Sequence, residues 1–235
     1  ALLARGLVEE AAGDLEACCD TYREAMKVFQ GAGDVFGVIR AQALLAFDLW
    51  QRGHREEAEP ILRRALLAVE ARGLHHQAAK MLSTLGLILG EQGLWEEALD
   101  QLERSRGTHV ARGDRRGEGI VLANIAALHS THGRLEEALD VYRQALTAQQ
   151  AVGEVRLEGV ILRNIGVVLL GLGRGREAES TLQEALSRHR DAGDRFSEGR
   201  VLSDLAEIRL LKGDLAQADR LYEEALAVST AAGDE

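Results

Sequence analysis

Hydrophobic and polar residues alternate along this 235-residue chain with the spacing of an α-helix. In the segment IVLANIAALHSTHG, the apolar stripe has the i, i+3, i+4, i+7 spacing, at Leu122, Ile125, Ala126 and His129. The segment LEEALDVYRQAL repeats this spacing from Leu135 onward. Glycine follows each segment, and it ends helices because it adopts the left-handed conformation at little cost. The pattern therefore predicts a chain of helices that are separated by short turns.

Glycines recur at a fixed spacing of twenty residues along the chain. They form two rows, each with a step of forty residues: Gly13, Gly53, Gly93, Gly133, Gly173 and Gly213, and then Gly33, Gly73, Gly113, Gly153, Gly193 and Gly233. Acidic residues directly follow the second row at Asp34, Asp114, Glu154 and Asp194. A carboxylate at such a position suits the N-terminus of a helix. The spacing therefore predicts a forty-residue unit of helix A, a turn, helix B and a second turn.

Small residues recur at matched positions in both helices of the predicted unit. Helix B repeats Ala58, Ala98, Ala138, Ala178 and Ala218, and helix A repeats Ala46, Gly86, Ala126, Gly166 and Ala206. Small side chains let two helices approach closely, and stacked hairpins bury the faces that a single hairpin leaves exposed. We therefore predict an all-α fold, a right-handed α-solenoid (superhelix) of about six stacked helix-turn-helix units, the first of them truncated.

The predicted units of this single solenoid cover approximately residues 1–33, 34–73, 74–113, 114–153, 154–193 and 194–235. The chain begins within a predicted helix and has no initiator methionine, so we expect it to be a piece of a longer protein. One helix B departs from its counterparts, because Ser105 and Arg106 replace an Ala-Leu pair and Gly107 lies inside the helix. An interior glycine costs about 1 kcal/mol relative to alanine. This helix is therefore either locally soft or the place of a hinge or partner contact.

The pattern of small and bulky residues, with Gly-x-x-x-x-Ala as in GRLEEA, resembles the tetratricopeptide repeat. The forty-residue period is longer than the usual unit of that family. The segment GDRRGEGIVLANIAALHSTHGRLEEALDVYRQAL resembles the long-repeat branch of the Pins/LGN adaptors, and EEAEPILRRAL resembles kinesin light chains. Bacterial regulators of the MalT and Rap kind also carry such arrays. The resemblance covers the whole chain and implies a fold that mediates protein interactions.

Charge and cysteine content narrow the range of partners and locations. The net charge is −10 and the pI is about 5.3, so the chain repels phosphate backbones and we expect no nucleic-acid partner. The longest apolar stretches are too short for a membrane span. Cys18 and Cys19 are the only cysteines, and two adjacent cysteines cannot build a disulfide framework. We interpret them as buried small residues of a protein in a reducing compartment, the cytoplasm.

Residues that could carry out chemistry do not converge in the sequence. His129 and His132 could share a helix face, but no nearby cysteine or carboxylate pattern completes a metal site. His75 and His76 fit a solvated turn. Three glutamate pairs fit the first turns of helix B, where the helix dipole favours them: Glu56-Glu57, Glu96-Glu97 and Glu136-Glu137. We therefore predict a non-enzymatic protein with no catalytic residue, metal or cofactor.

The family resemblance implies that helix A lines a concave surface, which binds an extended peptide or a partner helix. The residues of helix A that lie off the core stripe form the expected peptide-binding set: Arg40, Phe47, Trp50, Lys80, Thr84, Leu87, Asn124, Arg163, Asn164, Val167, Arg200 and Asp204. The carboxylate clamp by which some family members bind chaperones needs Lys, Asn and Arg together in adjacent repeats. These positions do not supply that set, so a chaperone C-terminus is not the expected ligand.

Three properties of the peptide-binding set define the expected ligand. Asn124 and Asn164 occupy equivalent positions, and their amides suit either a peptide backbone or hydrogen bonds between repeats. Phe47 and Trp50 either make the surface partly apolar or pack against the truncated first repeat. The basic residues of the set either favour an acidic ligand or lie on the surface, where they are solvated or form salt bridges.

We expect a protein–protein interaction scaffold whose partner is a protein or peptide of acidic or hydrophobic character. The alternative is a ligand- or peptide-sensing array of a bacterial regulator, in which a small molecule or signalling peptide changes the pitch of the superhelix. Self-association is a further possibility, because the truncated N-terminal end exposes a hydrophobic face that normally needs a cap.

Overall fold

The computed structural model describes residues 1–74 and 78–233, so His75 and His76 lie outside the described residues. The described residues form twelve α-helices and no strand: α1 (Leu2–Ala11), α2 (Leu15–Gly31), α3 (Val35–Gln51), α4 (Arg55–Glu70), α5 (Ala79–Glu91), α6 (Trp95–Ala111), α7 (Arg115–Thr131), α8 (Leu135–Gln150), α9 (Val155–Gly171), α10 (Gly175–Asp191), α11 (Arg195–Leu211) and α12 (Leu215–Gly233). None of these helices is both long and apolar enough to cross a bilayer. The predicted all-α class is confirmed.

Left-handed glycines form the turns between the helices. Eleven glycines, at every twentieth position from Gly13 to Gly213, have φ between 65° and 81°. Residues with a Cβ are strained in this region, which explains why glycine is repeated there. The amides of ten of these glycines, all but Gly113, bond to a carbonyl three residues earlier, as that of Gly53 bonds to Trp50 at 2.9 Å. The predicted glycine turns are therefore confirmed at these positions.

Aspartates cap the helices that follow the second row of glycines. Asp34, Asp114 and Asp194 each accept a hydrogen bond from the backbone amide three residues later. Glu154 lies at the N-cap of α9, as the sequence predicts, but its side chain makes no capping hydrogen bond. Its carboxylate instead lies 2.6 Å from Nε of Arg116 on α7. The additional methylene of glutamate moves the carboxylate away from the helix end and towards this neighbour.

The chain divides into two compact units, Ala1–Arg112 and Gly113–Glu235. In the first unit, α1 packs on α2, α3 on α4 and α5 on α6, and α2 also contacts α3. In the second unit, α7 packs on α8, α9 on α10 and α11 on α12. The first helices of neighbouring pairs touch directly, α3 with α5, α7 with α9, and α9 with α11. Each unit is thus a stack of helical hairpins, while one continuous array of six repeats stays a prediction.

The core lies between the two helices of each hairpin, and its small residues set how closely the helices approach. Ala58, Ala98 and their equivalents in the later helices are at most 1 % exposed. A Cβ added at Gly86 would lie 2.7 Å from Cγ of Leu102, and one at Gly166 would lie 2.6 Å from Cγ of Leu182. These glycines therefore accommodate leucines of the partner helix, as the sequence predicts.

The predicted irregularity in helix α6 does not interrupt that helix. Gly107 lies within its seventeen residues and has no atom within 4 Å of the place where a Cβ would be. Ser105 is fully buried and donates a 2.7 Å hydrogen bond to the carbonyl of Ala79 on α5. Ser105 thus occupies a position where the equivalent helices have alanine, and it adds a hydrogen bond between α6 and α5. Local softness at Gly107 stays a prediction.

Candidate functional site

A cluster of two aromatic rings and a lysine lies on α3 and α5 of the first unit. The ring centroids of Phe47 and Trp50 are 5.7 Å apart and their planes are tilted by 50°. Nζ of Lys80 lies 4.5 Å from the centroid of Phe47, within the range of a cation–π interaction. Both rings are partly exposed. We call Phe47, Trp50, Lys80 and the half-buried Leu87 the aromatic patch.

The other predicted residues of the first unit contribute unequally to an open surface. Arg40 is exposed near the beginning of α3. Thr84 departs from the prediction, since it is only 4 % exposed and its hydroxyl donates to the carbonyl of Lys80 at 3.0 Å. This bond to the preceding turn satisfies a buried hydroxyl within its own helix. Thr84 therefore packs in the core and offers no open hydroxyl to a ligand.

Two predicted residues of the second unit bind each other. Nε of Arg163 on α9 lies 2.6 Å from Oδ2 of Asp204 on α11, and Nη2 lies 3.1 Å from Oδ1. The side chains are 19 % and 15 % exposed, so the pair is mostly shielded from water. Nη2 donates a hydrogen bond to Oδ1, while Nε and Oδ2 form an ion pair without hydrogen-bond geometry. Of the two readings left open for Arg163, the salt-bridged one therefore holds.

The two asparagines lie at equivalent, half-buried positions on α7 and α9. Burial raises the pKa of Tyr142 to about 12, and a hydrogen bond with the Asn164 side chain acts in the opposite direction. Asn164 on α9 therefore lies next to Tyr142 on α8, and its role as a link between repeats stays a prediction. Val167, which is 43 % exposed, and Arg200 lie on the open surfaces of α9 and α11.

Two cysteines and an aspartate meet in the core of the first unit, where the sequence predicts no site. Cys18 and Cys19 on α2 are 0 % and 1 % exposed, and Asp48 on α3 is 0 % exposed. The thiol of Cys18 donates to Oδ2 of Asp48 at 2.8 Å. One ligand atom from each residue lies within 4.8 Å of the others, and no other histidine, cysteine or acidic trio in the described ranges does so. We call these three residues the thiol–carboxylate cluster.

The thiol–carboxylate cluster has one oxygen without a hydrogen-bond partner and one positive charge at its edge. The Oδ1 atom of Asp48 is buried and has no hydrogen-bond partner. Burial raises the pKa of Asp48, while the hydrogen bond from Cys18 opposes that shift. Burial and the neighbouring Asp48 also raise the pKa of the Cys18 thiol. Nη1 of Arg52 lies 3.6 Å from Sγ of Cys19 and brings a positive charge to the edge of the cluster.

The forty-residue period contains the signal by which the cluster could have been found. The positions equivalent to Cys18 in the later helices are all alanine: Ala58, Ala98, Ala138, Ala178 and Ala218. The positions equivalent to Asp48 are all branched and apolar: Ile88, Leu128, Val168 and Ile208. Both series are buried. The chain departs from both patterns only where α2 and α3 face each other.

The remaining sequence candidates have structural roles. The three glutamate pairs lie in the first turns of α4, α6 and α8, as predicted. Nδ1 of His132 lies 3.1 Å from the carbonyl oxygen of Leu128, at the C-terminal end of α7. His129 is half-buried in the last turn of the same helix. Both histidines therefore lie at a helix end, and the His132 imidazole contacts the backbone.

Stacked helical hairpins with left-handed glycine turns define an α-helical repeat protein. A family model described as tetratricopeptide repeat matches residues 76–151 and 157–231, and a second model of the same description matches residues 39–64. The chain therefore belongs to the tetratricopeptide repeat family, as the resemblance of its sequence implies. No curated protein matches the chain as a relative.

Several solved structures of similar fold have low sequence identity to this chain. BtubC (BKLC) from P. vanneervenii is 17 % identical with a TM-score of 0.75, and the match covers 94 % of this chain and 93 % of that one. The apo quorum sensor NprR from B. thuringiensis is 14 % identical with a TM-score of 0.77, covering 97 % and 64 %. The Rap conjugation gene regulator of plasmid pLS20, in complex with the Phr* peptide, is 14 % identical with a TM-score of 0.73, covering 97 % and 61 %. These likenesses concern the fold.

Proposed function

We propose that the protein is a non-enzymatic interaction scaffold, which binds a peptide or helix of a partner protein on the exposed surface of the first helix of each pair. The aromatic patch on α3 and α5 carries this proposal. Aromatic side chains contribute most of the binding energy in many interfaces, and a half-exposed pair is available to a ligand without unfolding. Membership of the tetratricopeptide repeat family supports the same function.

The chemistry of the patch favours a ligand with an apolar side chain next to a carboxylate. Phe47 and Trp50 supply a rigid apolar surface, and Leu87 extends it on α5. Lys80 lies over the face of Phe47 and Arg40 is exposed on α3, so positive charge lies beside Phe47, while Nε1 of Trp50 donates to Oε1 of Glu91 at 3.3 Å. The chain as a whole has a net charge of −10, which disfavours an acidic ligand where no basic residue is near. A peptide that alternates acidic and apolar residues fits this distribution.

A sensing array of a regulator is the second candidate function. Its support is the likeness of fold to proteins whose structures are described as a quorum sensor and as a conjugation regulator in complex with a peptide. Under this alternative, a short peptide or small molecule changes the arrangement of the helices rather than recruiting a partner. In the second unit, Asn124, Val167 and Arg200 then belong to the expected contact set.

A random peptide library displayed on phage tests the proposal without knowledge of the partner. The wild-type chain, a Phe47→Ala/Trp50→Ala variant and an Asn124→Ala/Asn164→Ala variant are each immobilised and challenged with the library. The matched control is Leu67→Ala/Val110→Ala, which removes side chains that are 67 % and 51 % exposed on the second helices α4 and α6. Circular dichroism establishes that every variant keeps its helix content.

The proposal predicts that wild type and control select the same acidic–apolar peptide motif, and that the Phe47/Trp50 variant selects none. Loss of binding should exceed about tenfold, since truncation of a central aromatic residue typically costs 2 kcal/mol or more. Equal selection by wild type and the Phe47/Trp50 variant would exclude the aromatic patch. The sensing array would be favoured by a different result, in which only the Asn124→Ala/Asn164→Ala variant fails to select the peptides that wild type selects. The selected peptide should then also change the near-ultraviolet circular dichroism of the wild-type chain.

A further inference from the structure

The fold itself does not require a carboxylate at position 48. The equivalent residues Ile88, Val168 and Ile208 are buried to 2 % exposure or less, and apolar side chains fill their positions. Asp48 is equally buried but leaves one oxygen without a hydrogen-bond partner. A buried polar group without a partner destabilises a fold, and native proteins keep few of them without a functional reason. The aspartate therefore serves something other than packing.

Cys18 shows the same kind of departure next to this carboxylate. Cys18 replaces the alanine that every later helix has at this position, and it directs its thiol at Asp48 over 2.8 Å. Cys19 follows it in sequence and is also buried. Two sulfur atoms and one oxygen within 4.8 Å of one another are donors close enough to share a single ion. Metal–sulfur bonds of about 2.3 Å and metal–oxygen bonds of about 2.1 Å need only small side-chain adjustments at such separations.

We propose that Cys18, Cys19 and Asp48 bind a thiophilic divalent cation of the zinc type. Thiolates select soft or borderline metals over magnesium and calcium, which prefer oxygen ligands. Two thiolates and one carboxylate provide three protein ligands of a tetrahedral ion and leave the fourth position for water or a ligand. The Oδ1 atom of Asp48 also points to a ligand, because it has no hydrogen-bond partner and coordination to an ion would satisfy it.

The charges in and around the cluster balance when a dication is bound. Two thiolates and a carboxylate carry three negative charges, so a dication leaves one negative charge in the core. The guanidinium of Arg52, at 3.6 Å from Sγ of Cys19, compensates that remaining charge. Binding deprotonates both thiols, and their protons pass to solvent, so acidic conditions weaken binding. The ion would join α2 to α3, which belong to successive helical hairpins.

Cobalt(II) provides a direct test, because thiolate ligands give it an intense charge-transfer absorption. The reduced wild-type chain is titrated with CoCl₂ and then with ZnCl₂. We expect one ion bound per chain, an absorption typical of two thiolates, and its loss as zinc displaces cobalt. Cys18→Ala and Asp48→Val introduce the residues that the chain itself has at Ala58 and Val168. We expect each to weaken cobalt binding by more than about tenfold, as loss of a ligand exceeds loss of an outer-shell contact.

Control measurements separate loss of the site from loss of the fold. Circular dichroism and urea unfolding without metal should show both variants folded, because neither replacement introduces a group foreign to its position. ZnCl₂ should raise the unfolding midpoint of wild type and leave those of the two variants unchanged. A His129→Ala/His132→Ala variant should bind cobalt as wild type does. Absence of the thiolate absorption in wild type, its retention in Cys18→Ala or Asp48→Val, or its loss in the histidine variant would each overturn the proposal.

Discussion

Asp194 is a buried carboxylate whose ionisation we predict to stabilise the second unit in a pH-dependent manner. It caps α11 by accepting a hydrogen bond from the amide of Ser197 at 3.1 Å, and its Oδ2 lies 2.8 Å from Nε of Arg156 on α9. Its side chain is 6 % exposed. Burial alone would raise the pKa of Asp194, but the hydrogen bonds from Arg156 and Ser197 outweigh it and lower that pKa to about 2. We predict that Asp194→Asn destabilises the second unit in a pH-dependent manner.

The magnitude follows from the difference between the folded and unfolded pKa of Asp194. The ordinary value is 3.8 and the folded value is about 2. One pKa unit corresponds to about 1.4 kcal/mol, so ionised Asp194 contributes about 2 kcal/mol to the free energy of unfolding. Because the folded pKa is the lower one, this contribution is fully present above the unfolded pKa. It is lost as the pH falls from about 4 towards 2, where both states become protonated.

Urea unfolding followed by circular dichroism measures this contribution at a series of pH values. The free-energy difference between wild type and Asp194→Asn should be about 2 kcal/mol at neutral pH and should shrink below pH 4. Asn caps helices about as well as Asp, so the variant removes chiefly the charged interaction with Arg156. Asp34→Asn, at the equivalent cap of α3, is the matched control and should change stability little at neutral pH.

His189 requires a control of its own, since its Nδ1 lies 3.8 Å from Oδ2 of Asp194 and burial lowers its pKa. The pH series is therefore repeated with His189→Gln added to wild type and to Asp194→Asn. This substitution introduces the glutamine that the chain has at the equivalent position, Gln149. The reasoning fails if the difference between wild type and Asp194→Asn stays constant from pH 7 to pH 2. It also fails if the difference disappears in the His189→Gln background.

Three further substitutions test the packing of the hairpins, each by urea unfolding. Gly159→Ala should lower the free energy of unfolding by about 1–3 kcal/mol, because a Cβ there would lie 2.8 Å from the His189 ring. Unchanged stability would mean that the ring moves aside. Gly107→Ala should stabilise by about 0.5–1 kcal/mol, because the helix has open space there; a loss of stability would point to a functional conformation. Asp204→Ala should destabilise by about 1–3 kcal/mol, because it leaves the mostly buried Arg163 without its partner, and a neutral result would show that water replaces the carboxylate.

The fold follows from the sequence because each of its determinants is local and is repeated. A left-handed glycine such as Gly53 and a capping aspartate such as Asp34 act within a few residues of their own position. Repetition at a fixed period then removes the ambiguity of any single instance. Glu154 also lies at a helix N-cap, but its carboxylate pairs with Arg116 of the preceding hairpin instead of capping the helix.

The candidate site is less predictable because it depends on contacts between hairpins. Arg163 and Asp204 are 41 residues apart, and the geometry that brings them to 2.6 Å depends on how α9 packs against α11. Thr84 was assigned to the surface by its position in the helix, but the neighbouring helices bury it. The period identifies equivalent residues, and it does not determine which side chains of successive helices meet.

A repeat protein nonetheless provides an internal reference that a single-copy fold lacks. Each core position of the tetratricopeptide array is present several times, so the chain itself shows which residues packing alone selects. A departure at one position can be neutral drift, as a solvent-exposed change often is. Two departures towards polar groups that meet in the core, Cys18 and Asp48, are different, because each adds a group that burial disfavours. Such paired departures identify candidate sites even where no sequence motif is present, and the cobalt titration tests that reasoning on this chain.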